Sequence, residues 1–186
     1  MEFRVGTSAT ENFEVPATLP SSYVGPGIAP GQLPAGVPIR VLELAEILNA
    51  QGIPLMAIVR DQHGEQMWDA PLNAVPIAGG TREVWLFVNT TADTHPMHLR
   101  LVQFRPLWRR SFDVRQFGID QRIRYQGAAI PVDPNERGWN DTIRANPGEV
   151  TALLVDLPAG FSGYYPVHCH ILEHEDHEMM REYLVG

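Results

Sequence analysis

A single cysteine, Cys169, supplies all the thiol chemistry of this 186-residue chain. One cysteine excludes an internal disulfide and leaves the thiol as an inert core group, a nucleophile or a metal ligand. Positive charge is also scarce. With 14 basic against 22 acidic residues and a formal net charge of −8, the chain has no basic surface to release counterions from a phosphate backbone, so nucleic acid is a poor partner. No apolar run is long enough to span a bilayer, and no membrane partner is expected. The start, MEFRVGTSATENF, lacks the basic residues and continuous apolar stretch of a secretory signal, as a trimmed protein also would, so the compartment stays open. Internal repeats are missing, and sustained helical periodicity is nearly so.

What is present is an ordinary globular balance, 44% hydrophobic and 19% charged, in a length that suits one domain with an extended arm. Residues 1–5 (MEFRV) read as a short strand, and the stretch to residue 38 is rich in Pro, Gly and Ser with no period, an extended connector. From Ile39 onward come short apolar or alternating runs bounded by Gly, Pro and Asn: VLELAEIL, LMAIV, EVWLFVN, HLRLVQFRPL, DTIRA, VTALLVDL and YYPVHCH. These predict an all-β fold, a Greek-key barrel or two-sheet sandwich over residues 39–186, with residues 1–38 as an N-terminal arm. The segment ILEHEDHEMMREYL alone carries a helical period, which a loop wrapped around a metal would show equally. Trp85 and Trp139 read as core or barrel-closing residues.

Six of the seven histidines fall in two tight clusters. His95 and His98 lie in THPMHLR; His168, His170, His174 and His177 lie in HCHILEHEDHEMM, which also contains Cys169. A thiolate among imidazoles, with Met179 ten residues on, is the ligand set of a His₂Cys site with a weak axial thioether, the blue-copper arrangement. Met180 is the rival axial ligand. If residues 167–170 are extended, Cys169 faces one side while His168 and His170 face the other, about 6.6 Å apart by strand rise. His98 and Arg100 share a face, and His95 sits beyond Pro96 at the strand mouth, free to turn towards Cys169. One strand can therefore serve two metal sites. His177 reads as a solvated side chain, and His63, in QHGEQ, as a turn residue.

HPMHLR and HCHILEHEDHEMM resemble the HPxHxH and HCHxxxHxxxxM signatures that close the last, third cupredoxin domain of multicopper oxidases. Spore-coat-type bacterial laccases, bilirubin oxidase and phenoxazinone synthase are the most similar members. The likeness continues through SFDV and GWNDTIRANPGEV, covers residues 39–186, and extends to MEFRV, which is similar to the closing strand of a preceding domain. The resemblance implies an eight-stranded Greek-key cupredoxin barrel. It also implies type 1 copper ligands at His95, Cys169, His174 and Met179, a type 2 ligand at His98, and type 3 ligands at His168 and His170.

Two departures bear on function. Arg100 stands where the motif has its third histidine, and a guanidinium offers no lone pair to copper. The family also builds half of its trinuclear cluster from two HxH motifs in another domain, and no such pair occurs elsewhere in this chain. In related oxidases an acidic residue at the position of Glu175 and Asp176 helps deliver protons to the oxygen site; here the pair reads equally as solvated helix-start charges. The resemblance thus implies a copper domain that takes electrons from a small-molecule reductant or a redox protein and is limited, by itself, to electron transfer. The alternative is a laccase-like oxidase of phenolic substrates with O₂, its trinuclear cluster completed by the remaining oxidase domains or by a neighbouring copy recruited through the arm. A redox-silent storage domain is disfavoured by the donor set.

Overall fold

Two of the apolar runs, EVWLFVN and VTALLVDL, show no polar face, and the computed structural model of the chain, which describes residues 27–61, 76–186 and Ala17, explains why. The described residues form nine strands: β1 (Ile39–Leu48), β2 (Pro54–Arg60), β3 (Arg82–Asn89), β4 (His95–Leu99), β5 (Phe104–Ser111), β6 (Thr142–Ala145), β7 (Glu149–Asp156), β8 (Gly163–Cys169) and β9 (Met180–Val185). They make a five-stranded sheet in the order β2-β1-β3-β7-β5 and a four-stranded sheet in the order β6-β4-β8-β9. Every pairing is antiparallel except β1 with β3. The chain passes back and forth between the sheets, so the all-β Greek-key sandwich expected from the sequence is what forms, with nine strands rather than eight.

Strands β3 and β7 lie in the middle of the larger sheet and are covered on both faces, which removes the need for a polar phase. Trp85, Phe87, Leu153 and Val155 face the four-stranded sheet and join Met97, Cys169 and Met179 in one core. Val84, Leu86, Val150 and Leu154 face the other way, into a second core with Trp108, Phe112 and Phe117. Phe87 is fully buried, so its truncation to alanine would cost about 3–5 kcal/mol. Ile28, Leu33 and Val37 pack against this second core, and the Trp108 indole donates to the Gln32 carbonyl at 2.7 Å. The end of the connector is therefore a cover for the sheet. The strand expected at residues 1–5, most of the connector and the turn at His63 lie outside the described residues.

Four local expectations are corrected. HLRLVQFRPL is two strands, because the chain turns over Arg100–Gln103 with Leu101 at φ 73° and the halves enter different sheets. A helix unanticipated in the sequence, α1 (Val114–Asp120), follows β5; the Asp113 carboxylate caps it by accepting from the Gln116 amide, and Phe117 packs edge-on against Phe112. ILEHEDHEMMREYL divides into a short helix, α2 (Leu172–Asp176), and the strand β9. Trp85 is a core residue whose indole donates to Glu83, but Trp139 is 37% exposed outside the strands, its ring under the Arg105 guanidinium at 4.7 Å.

A buried ion pair braces the edge where the sheets meet. Arg109 of β5 donates to both carboxylate oxygens of Glu136 at 2.7 and 3.0 Å and to the carbonyl of Arg144 in β6. Arg144 in turn donates to Glu136 at 3.0 Å. Burial alone would raise the Glu136 carboxyl, but the hydrogen bonds and charges of Arg109 and Arg144 outweigh it and hold the group below its ordinary 4.5. A carboxyl depressed by folding stabilises the fold above its unfolded pKa, and that stabilisation is lost as pH falls through the lower folded value. Stability against urea should therefore fall on acidification below about pH 4.5. Glu136→Gln, less stable by on the order of 1–3 kcal/mol at pH 7, should lose less on the same acidification. Equal acid sensitivity in both proteins would remove Glu136 from the account.

Candidate metal centre

Side-chain parity on two paired strands sorts the chemistry. In β4 and β8, Met97 is opposite Cys169 and His98 is opposite His168. Residues directly opposite in an antiparallel pair project to the same face, and alternation carries His95 to the side of Met97. His95 and Cys169 accordingly point into the core, both 0% exposed. His98 and His168 point to the outer face, where His170, just past the end of β8, joins them. His95 is itself a residue of β4, so its direction is set by the strand and not by a free loop.

The ten-residue return from Cys169 brings the remaining donors back. α2 begins after Ile171, whose carbonyl accepts from the amides of His174 and Glu175. Glu178 turns the chain at φ 79°. The loop closes through the Met179 amide to the His174 carbonyl at 2.8 Å and the Cys169 amide to the Met179 carbonyl at 3.0 Å. Met179 is 0% exposed in the core that holds Cys169, whereas Met180 starts β9 opposite His168, on the other face. Parity thus separates the two methionines.

In the inner cluster, His95 Nδ1 lies 3.1 Å from His174 Nδ1 and 3.8 Å from Cys169 Sγ, and the Ile171 amide donates to that sulfur at 3.4 Å. Two nitrogens and a sulfur at these separations can each reach one ion at bond lengths of about 2.0–2.3 Å. The donors also suit copper: two imidazoles and a soft thiolate. Burial, with the neighbouring His174 adding to it, pushes the His95 imidazole down to about 4. Burial pushes the Cys169 thiol up to about 11.

In the outer cluster the ring centroids of His98, His168 and His170 are 4.9–5.3 Å apart. His98 Nδ1 is 2.9 Å from the Asp141 carbonyl and His168 Nδ1 is 3.0 Å from the Cys169 carbonyl. An Nδ1–H donated to a carbonyl leaves Nε2 as the free lone pair. Burial, chiefly, lowers the His98 imidazole. Glu175 approaches this group, its Oε1 3.8 Å from His168 Nδ1, while Asp176 and His177 are exposed. Arg100 is exposed at the turn after β4, where its backbone donates to Pro166 and accepts from the Tyr183 hydroxyl.

Sequence reasoning missed the polar groups behind His95. Glu46 continues the inward phase of Leu42 and Leu44 in β1 and reaches within 3.6 Å of His95 Nε2. A carboxylate in the core phase of an alternating strand was the available signal. Thr91, in the polar run NTTADTHP, lies beside the same ring nitrogen, and Asn89 stands behind Thr91.

Comparison with known proteins identifies the class. The sequence profile of the multicopper oxidases matches residues 42–186, and the chain belongs to that family. It is 42% identical over 143 residues to a laccase of Bacillus subtilis, covering 77% of this chain and 26% of that protein. It is 41% identical over 117 residues to a laccase of Haloferax volcanii, covering 63% of this chain and 17% of that one. A multicopper oxidase structure from Pediococcus acidilactici superposes with a TM-score of 0.63 at 24% identity, over 96% of this chain and 31% of the other. The chain thus spans about a quarter or less of the curated relatives it matches. Copper is the cofactor of this family.

A metal ion seated between Cys169 and His95 must displace the thiol proton, while the imidazole is already neutral above pH 6. Between pH 8 and 10 copper uptake should therefore release about one proton per ion, and apparent affinity should rise about tenfold per pH unit. Chelator competition at several pH values measures this slope; a flat profile would mean that the thiol is not displaced.

Proposed function

We propose that this chain is the electron-accepting, type 1 copper domain of a multicopper oxidase, with copper held by His95, Cys169, His174 and Met179. The observation that carries the reading is the inner cluster: a buried thiol and two imidazole nitrogens within 4.8 Å of one another on the face that also buries Met179. Held there by these four residues, copper would supply one-electron chemistry, with the Cys169 thiolate dominating its electronic structure and the Met179 thioether tuning its potential. The protein's part is to prepare the site. The core excludes water, strand parity aims His95 and Cys169, and the loop closure of Cys169 on Met179 fixes the ring of donors. Half-buried His174 is the ligand nearest solvent and the contact point for a small-molecule reductant or a redox protein.

The outer cluster supports a second step in the whole oxidase. His98 in a type 2 position and His168 and His170 in type 3 positions would contribute their Nε2 atoms to a trinuclear centre, with the other ligands coming from the remaining oxidase domains or a neighbouring copy. Glu175, beside His168, is then placed to pass protons. Arg100 adds no ligand, so the isolated chain is confined to electron transfer, and laccase-like oxidation of phenols with O₂ requires the partner.

Copper titration followed by visible absorption near about 600 nm and by EPR tests this. One equivalent with intense blue colour is expected, and Cys169→Ser should abolish the colour while circular dichroism shows the β fold retained. A colourless wild-type complex would sink the proposal. Two or more equivalents, with O₂ consumed in the presence of a phenol, would favour the completed-cluster reading.

A further inference from the structure

We propose that Asn89 and Thr91 are positioning residues that set the tautomer of His95, holding its hydrogen on Nε2 so that Nδ1 presents a bare lone pair towards Cys169 and His174. The inference rests on the reading of His95 as a metal ligand and adds the groups that prepare it.

The argument starts at Asn89, which is fully buried at the end of β3. Its side-chain amide is oriented without ambiguity. The Nδ2 hydrogens go to two carbonyls, Asp93 at 2.7 Å and Ala145 at 2.9 Å. The Oδ1 accepts from the backbone N–H of Thr91 at 2.9 Å. A flipped amide would set an oxygen against two carbonyls and an NH₂ against an N–H, so the oxygen must face Thr91.

Thr91 then has one hydroxyl hydrogen to place. Its Oγ1 is 2.8 Å from Asn89 Oδ1, 2.6 Å from His95 Nε2, and 3.2 Å from both the backbone nitrogen and the carbonyl oxygen of Asp93. If the hydroxyl donates to Asn89, its two lone pairs accept from His95 Nε2–H and the Asp93 amide, so both contacts of 2.8 Å or less contain one hydrogen and only the longer approach to the Asp93 carbonyl lacks one; donation to that carbonyl instead would equally leave Nε2 as the donor. If it donates instead to His95 Nε2, two oxygens remain 2.8 Å apart with no hydrogen between them. The first arrangement is the stable one. A second observation agrees: Glu46 Oε1, buried without a hydrogen-bond partner among the described residues, is 3.6 Å from the same Nε2 and favours a positive hydrogen there over a bare lone pair.

A neutral imidazole has only one ring hydrogen. Once Nε2 carries it, Nδ1 has none, and Nδ1 is the atom 3.1 Å from His174 Nδ1 and 3.8 Å from Cys169 Sγ. The information runs from two backbone carbonyls through one amide and one hydroxyl to the ligand atom. Because Ala145 is opposite His95 in the β4–β6 pairing, the same strand contact that holds the backbone also anchors the relay.

The test has two arms. In metal-free protein labelled with ¹⁵N-histidine at pH 8, with the His95 signals found by their loss in His95→Gln, the Nε2 shift should be that of a protonated nitrogen and the Nδ1 shift that of a bare one. The opposite pattern overturns the proposal, whether or not copper ever binds. In the second arm, Cu(I) affinity is measured against a chromophoric chelator. Thr91→Val should weaken binding by about 10–100-fold and shift the reduction potential of the copper-loaded protein, and Thr91→Ser, which keeps the hydroxyl, should bind like the wild type. Wild-type affinity in Thr91→Val, or equal loss in Thr91→Ser, overturns it. Should Thr91→Val fail to fold, the serine variant and the tautomer measurement still decide. A wild-type chain that takes up no Cu(I) would sink the ligand reading while leaving the first arm to judge this one.

Discussion

A one-residue slip between β4 and β8 would turn either Cys169 towards solvent or His98 towards the core, and in either case both clusters would be lost at once. The site therefore depends on a register, and register is strongly fixed only where one face of a sheet is buried. Here it is fixed by Met97, Leu99 and Val167, which face the same core as Cys169 and leave no apolar partner for a shifted strand. The neighbours reinforce it: β6 lies beside β4 with Ala145 opposite His95, and β9 lies beside β8 with Arg181 opposite Val167. Hydrophobic packing thus sorts the candidate ligands, which ride on strands whose positions are decided by other side chains.

The same packing gives the two clusters different electrostatics. The inner donors sit in the interior, where a charged thiolate or imidazolium is costly, and this is why the Cys169 thiol is pushed up and the His95 imidazole down. A cation arriving there reverses that cost by supplying the missing counter-charge. The outer histidines lie on a sheet face with His170 exposed, and the Nδ1 atoms of His98 and His168 are held by backbone carbonyls. Under the proposed reading, a dry one-electron site and a wetter site for oxygen are separated by the thickness of a single strand.

The sequence disclosed most of this because ligand chemistry leaves a dense local signature. Cys169 between two histidines, followed at fixed distances by His174 and Met179, is legible without knowing any tertiary contact. Alternation was legible in β4, which has one buried and one half-buried face, but in β9, built the same way, it was hidden inside a segment that also carries a helical period. It failed as a guide where it was hidden. Strands β3 and β7 are covered twice, α1 is only seven residues long and depends on one cap and one phenylalanine, and the turn at Leu101 is marked by neither glycine nor proline. Trp139 misled because an aromatic beside a strand can be held from outside by an arginine as well as from inside by a core. The residues behind His95 stayed invisible for a different reason. Asn89, Thr91 and Glu46 acquire meaning only through contacts that no spacing in the chain encodes.

Arg100 draws these threads together. It follows the last residue of β4, on the phase that points outward, so the substitution changes the outer face without touching the register or the core. Its backbone still donates to Pro166 and accepts from Tyr183, the bonds that tie the end of β4 to β8 and β9. The side chain at this position can therefore change while the inner cluster keeps its geometry. The fold treats its two faces as separable, and a chain with an intact inner set and an altered outer set is a physically coherent product of that separation.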